Sequence, residues 1–291
     1  VSTLTLLEEP KVTGETKTTT PSQDTPDVTE DAKQAPVETK QLAEVLTTQQ
    51  SKASDVLTEL KDSDSGRLST EYKAYLDTLI EQVVKVFPDT LVQFVKDVSE
   101  IPKKYGIKDF AFGKQGTFNE EKFVFVRQTE KTEESDRYET TAHEFIHVAT
   151  SEYIDENPNG TQSKTVRKLL AIVKKHVSSA PDKSVKGVHG LNHILSKRNV
   201  YVQAKELLAY GLTHPEIVAE LKKIPYTWAT ENKGIGAIAA SMLETGEPTN
   251  VYEALLAVYG NILGIEENRL ESTRRSTSTE VTQELPVRAG N

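Results

Sequence analysis

Two histidines four residues apart, His143 and His147, stand in the stretch Thr141-Ala142-His143-Glu144-Phe145-Ile146-His147-Val148-Ala149-Thr150. On a helix such positions lie about 40° apart around the axis, so both imidazoles leave one face and can chelate a single metal ion. Glu144 leaves the same side but reaches the ion's open position rather than the ion itself, where a carboxylate can take a proton from water. The chain has no cysteine, so no thiolate ligand or disulfide is available, and zinc, the ion expected here, must be held by imidazole and carboxylate. Two imidazoles leave zinc under-coordinated, which requires a third protein ligand. Glu206, in Lys205-Glu206-Leu207-Leu208-Ala209-Tyr210-Gly211, is the candidate. Its carboxylate sits beside the apolar residues Ala204, Leu207 and Leu208, a placement that costs energy unless the charge is paired or bound. A solvated glutamate on a helix surface is the plainer reading of that residue. Tyr210, one turn later, can hydrogen-bond across the same site.

The elements around these residues follow from periodicity. Tyr138, Ala142, Phe145, Ile146, Ala149 and Tyr153 form an apolar stripe beside the histidine face, and neither Pro nor Gly interrupts from Asp136 to Tyr153, which predicts one long helix. Thr70 is placed to cap a helix with Tyr72, Leu76, Leu79, Ile80, Val83 and Phe87 on its buried stripe, ended by Pro88. A second helix is expected over Leu91, Val92, Phe94, Val95 and Val98, stopping before Pro102. Phe110-Ala111-Phe112 and Lys122-Phe123-Val124-Phe125-Val126-Arg127 read as short strands joined by turns at Gly113 and Gly116. The later strand leads directly to the histidine helix and is the candidate sheet edge to which an extended peptide can add, with an ordinary core strand as the alternative. Val166, Leu169, Leu170, Val173 and Val177 mark another helix. Ser178 to Arg198 is less regular; Gly187 and Gly190 weigh against a helix there, and one of His189 and His193 is a candidate oxyanion donor on a loop over the cleft. Thr213-His214-Pro215-Glu216 has the form of a capping box. Asn250 with Glu253 starts the last buried helix.

Composition bounds the rest. With 291 residues and 36% hydrophobic content, one folded domain plus polar tails is expected: an arm at 1–65 with a possible short helix, a catalytic domain at 66–266 and a tail at 267–291. Both ends are read as disordered, because Thr, Glu, Lys and Pro cannot bury enough surface to offset chain entropy. A net charge of −9 argues against nucleic acid as the main partner, and no apolar run reaches the roughly 20 residues that span a bilayer. A soluble chain without an export signal is expected, its compartment open. Residue 1 is Val and the only Met is Met242, which suggests a piece of a longer polypeptide.

The first motif is the HExxH pattern of zinc peptidases. HEFIHVAT, ELLAYGLTHPEIVAELKKIP and VYEALLAVYGNILGI together resemble the zincin metallopeptidase domain of bacteriophage large polyvalent proteins, over about residues 106 to 265. That family is similar to the gluzincins. The resemblance implies His143, His147 and Glu206 as zinc ligands and Glu144 as general base. It also implies an α+β fold with a small, mostly antiparallel sheet packed on helices, acting on a peptide or protein substrate. A more distant likeness is to the peptidase of lethal factor-type toxins. Two other expectations stand beside this one: a catalytically silent zincin-fold module of a virion or other assembly, and a toxin-like effector protease acting on one host protein; virion and host cytoplasm are the candidate locations of the chain.

Overall fold

The computed structural model describes residues 50–63, 67–110, 112–129, 132–228, 236–243 and 246–280. The expected arm up to residue 49 and the tail at 281–291 lie outside the described residues. In chain order the elements are β1 (Ser51–Lys52), α1 (Ala53–Asp62), α2 (Thr70–Val86), β2 (Leu91–Val95), β3 (Gly113–Phe118), β4 (Glu121–Arg127), α3 (Glu134–Glu156), α4 (Thr161–Ser179), α5 (Lys186–Leu195), α6 (Val200–Thr213), α7 (Pro215–Leu221), α8 (Ala237–Met242) and α9 (Val251–Glu280). The class is α+β, as expected from the sequence, with one small sheet among the described residues. Among the described residues no helix is long and apolar enough to cross a membrane.

The sheet runs β1-β2-β4-β3. β1 pairs antiparallel with β2, β2 parallel with β4, and β3 antiparallel with β4, so the sheet is mixed rather than mostly antiparallel. β2 occupies the stretch expected as a helix, and its position explains the misreading. Val92 and Phe94 enter the main core while Val95 enters a second apolar cluster with Ile101, Tyr105, Phe110, Phe123 and Phe125. A strand buried on both faces shows no alternation, and a short continuous apolar run cannot be told from a buried helix by period alone. The two apolar clusters therefore sandwich the middle of the sheet.

β4 is interior, between β2 and β3, so of the two readings the core strand holds and the edge does not; β3 is the edge strand on that side. β3 also begins later than the expected Phe110–Phe112 strand and runs through both glycines assigned to turns. The β3–β4 hairpin turns at Asn119 and Glu120, both with left-handed φ, of 51° and 67°. That pair of signs belongs to the two-residue turn whose twist matches antiparallel strands.

Helices cover one face of the sheet. α3 is 23 residues long and buries Tyr138, Ala142, Phe145, Ile146 and Ala149 on the stripe read from the sequence. α6 packs against it, capped by Asn199, whose Oδ1 accepts from the Tyr201 and Val202 amides at 3.0 Å. α5 is helical despite Gly187 and Gly190. A Cβ on Gly187 would lie 2.5 Å from the Glu216 carbonyl oxygen and one on Gly190 2.8 Å from Ile217, so both glycines admit α7 at close range, an advantage that outweighs their low propensity. The capping box at Thr213 does not form: the Thr213 hydroxyl donates to the Ala209 carbonyl at 2.7 Å, and His214 holds the N-cap position of α7 without a side-chain cap. At α9 the expected cap is present, with the Glu253 amide donating to Asn250 Oδ1 and the Thr249 amide to Glu253.

Candidate metal centre

α3 and α6 bring three side chains together at the bottom of an open cleft of about 860 Å³. His143 Nε2 and His147 Nε2 are 3.1 Å apart, and Glu206 Oε2 lies 3.6 Å from the first and 3.8 Å from the second. The point equidistant from these three atoms is about 2.0 Å from each, within the usual range for bonds from imidazole nitrogen and carboxylate oxygen to a zinc-sized ion. Glu206 therefore stands where the sequence placed it, and His143, His147 and Glu206 form a group that can hold a metal ion. The donor set, two imidazoles and one carboxylate with no sulfur, suits a borderline divalent cation.

The electrostatics of the three are complementary. Burial, reinforced by His147, His214 and Lys197 and opposed by Glu206, pushes His143 down to about 3. Near neutral pH its imidazole is uncharged, and an uncharged imidazole is the form that donates a lone pair to a metal. Glu206 moves the other way: burial raises its carboxyl, but the hydrogen bond and charge of His147, with His143 and Lys197, outweigh that and leave it below the ordinary range. It is an anion under the same conditions. Behind the pair, His147 Nδ1 lies 3.3 Å from the buried hydroxyl of Ser151, which orients the ring from its far side.

Glu144 is 7% exposed. Burial is the largest influence on its carboxyl, which rises to about 7; His147 and Lys114 pull it down while Glu206 adds to the rise. A carboxyl near 7 exchanges protons readily with water at neutral pH. Tyr210 leans on the site from α6, its ring centroid 4.3 Å from that of His143, and burial together with Glu206 and Glu144 keeps its hydroxyl protonated.

β3 forms the opposite lip through Gly113, Lys114 and Gln115. The Arg127 amide donates to the Phe112 carbonyl at 2.7 Å. In an antiparallel ladder such bonded pairs alternate, so Lys114, Gly116 and Phe118 bond inward to β4. Gly113, Gln115 and Thr117 direct their N–H and C=O groups outward, where an incoming strand can meet them.

Not every expected residue is here. His189 and His193 are exposed on α5 and line no part of the cleft, so neither faces the metal group. His214, named from the sequence only as part of a capping box, lines the cleft, with Nδ1 3.1 Å from Glu216 Oε2. Ser151 carries no assignment from the sequence, and Gly113 only that of a turn. Ser151 has a signal in hindsight, since it extends the i, i+4 series of His143 and His147 by one turn. Gly113 has none, because what fixes it is a neighbour 31 positions away in the chain. No protein-family model, curated protein or solved structure matches this chain.

Proposed function

We propose that this protein is a zinc-dependent peptidase of zincin type, hydrolysing a peptide or protein substrate bound in the cleft between β3 and the α3–α6 pair. The observation that carries the reading is the placement of a buried, readily protonated Glu144 beside three atoms spaced for one divalent ion. Zinc, held by His143, His147 and Glu206, supplies a Lewis acid when bound, polarising a carbonyl oxygen and lowering the pKa of water toward about 7.

The chain's own residues account for the remaining needs of hydrolysis. The outward backbone groups of Gly113 and Gln115 can bind an extended peptide as one more strand, which fixes its carbonyl relative to Glu144. Glu144 accepts the proton of the attacking water at its carboxylate and delivers it to the departing amide nitrogen. The protonated Tyr210 hydroxyl donates toward the oxyanion that develops on the attacked carbonyl, and the burial of both side chains strengthens that interaction by lowering the local dielectric. Ser151 holds the His147 ring so that Nε2 faces the ion throughout.

Three variants test the assignment by separating metal from turnover. Glu144→Gln should keep stoichiometric zinc and lose turnover by several orders of magnitude. Tyr210→Phe should also keep zinc and lower kcat about 10²-fold. Glu206→Ala should lose zinc. Full activity in Glu144→Gln, measured on a denatured-protein or peptide-library substrate, rejects the carboxylate as base; zinc retained in Glu206→Ala rejects the ligand set.

A further inference from the structure

We infer that Gly113 is the positioning residue for the Glu144 carboxylate: the bare backbone of the edge strand is packed on that side chain, and absence of a side chain at 113 is what lets Glu144 keep its place in the cleft that also holds the metal group. A Cβ built on Gly113 would stand 2.6 Å from Glu144 Cγ, 2.6 Å from its Oε1 and 2.9 Å from its Cδ. Carbon atoms do not approach so closely, so one of the two must move. Backbone conformation gives no reason for glycine at this position, because Gly113 is not among the residues with positive φ and any residue adopts the extended form. Space gives the reason. The same residue turns its N–H and C=O toward the cleft, so the strand that confines the carboxylate also presents the outward bonding groups next to it.

Gly116, three residues on, supplies an internal control. It faces the other side of the sheet, where a Cβ would meet the Phe123 ring at 2.5 Å. That ring is wedged in the aromatic cluster against Tyr105 and Phe125, with centroids 4.7 and 5.2 Å away, and cannot swing aside. Glu144, in contrast, has a flexible side chain that lines the cleft, although it is largely buried. Alanine at 116 therefore strains the fold, whereas alanine at 113 is accommodated by turning Glu144 out of place, at small cost to stability and large cost to chemistry.

The inference rests on Glu144 acting as the base, and the experiment keeps the two claims apart. Zinc content, melting temperature, kcat, KM and a crystal structure are determined for the full chain, Gly113→Ala and Gly116→Ala. Expected for Gly113→Ala is full zinc occupancy, a melting temperature near wild type, KM within about threefold and kcat about 100-fold lower, the usual penalty for a catalytic group displaced by an ångström. Its crystal structure should show the Glu144 carboxylate rotated away from the edge strand. Gly116→Ala should melt lower yet, below its melting point, keep kcat within about threefold. The inference is overturned by a Gly113→Ala crystal structure with Glu144 unmoved, by unchanged kcat in that variant, or by equal loss of kcat in Gly116→Ala. If the wild type binds zinc but cleaves nothing, the peptidase reading fails while the crystal structure still decides whether Gly113 positions Glu144.

Discussion

At the scale of single residues the cleft is a place where burial and like charges set protonation against the ordinary values, and Glu139 shows the cost. It lies one turn before His143 on α3 and lines the cleft. Burial first, then the neighbouring carboxylates of Glu216 and Asp136, raise its carboxyl to about 7. A raised carboxyl binds its proton more tightly in the folded than in the unfolded chain. Its contribution to stability is therefore complete below the ordinary value of about 4.5 and is lost as the pH climbs through about 7. Glu139→Gln removes the titration while keeping the size. In metal-free protein the melting temperature of the variant should fall less than that of wild type between about pH 5 and pH 8, and it should melt higher at the alkaline end. Thermal melts across that range are the measurement, and parallel curves for the two proteins would show that Glu139 ionises as freely as in solvent. Glu144 has the same sign of shift from a related cause, so the wild-type slope should flatten in Glu139→Gln without vanishing.

Elements rather than residues decide where the folded part begins. A boundary near residue 66 follows from the polar stretch Ser63 to Gly66, yet β1 and α1 lie before it and are integral: β1 pairs with β2, and α1 buries Ala53, Val56 and Leu60 in the main core. Val56, Leu57 and Leu60 have helical spacing, the possible short helix of the arm, but Ser and Thr around them weaken the signal; burial against α2 and the sheet, not propensity, holds this helix. Leu60 is 2% exposed whereas Leu57 is partly exposed. Leu60→Ala should cost about 2–5 kcal/mol in urea unfolding and Leu57→Ala distinctly less. Equal small losses would mean that α1 only rests on the surface. At the other end α9 continues through Glu280, past the boundary drawn at residue 266. The long helices were legible because each has one polar face, as α3 does with its histidines. β2, apolar on both faces, and α5, whose glycines answer to α7, were not, because their determinants are partners distant in sequence.

For the molecule as a whole, the metal group joins two helices whose contributing residues are 59 or more positions apart, α3 through His143 and His147 and α6 through Glu206. An ion bound there must link those helices, yet they are already packed by apolar side chains: Phe145, Ile146 and Ala149 of α3 and Ala204, Leu207 and Leu208 of α6 are each no more than 2% exposed. The chelating pair was legible in the sequence for the same reason that α3 was, and Glu206 because an acid beside a buried stripe calls for a partner; the lip that closes the site was not. Removal of metal should consequently lower stability without unfolding the chain. Free zinc at 1,000 times its Kd adds about 4 kcal/mol to a site that the unfolded chain lacks, so chelation should lower the melting temperature by about 8–16 °C. Far-ultraviolet circular dichroism of the chelated protein below that temperature should match the metal-loaded form. Glu206→Ala should melt like the chelated wild type and ignore added zinc, because the same link is missing. A melting temperature indifferent to chelator and zinc in the wild type would detach the three side chains from any metal, whereas collapse of the circular dichroism signal on chelation would make the ion, rather than the apolar contact between α3 and α6, the organiser of the fold.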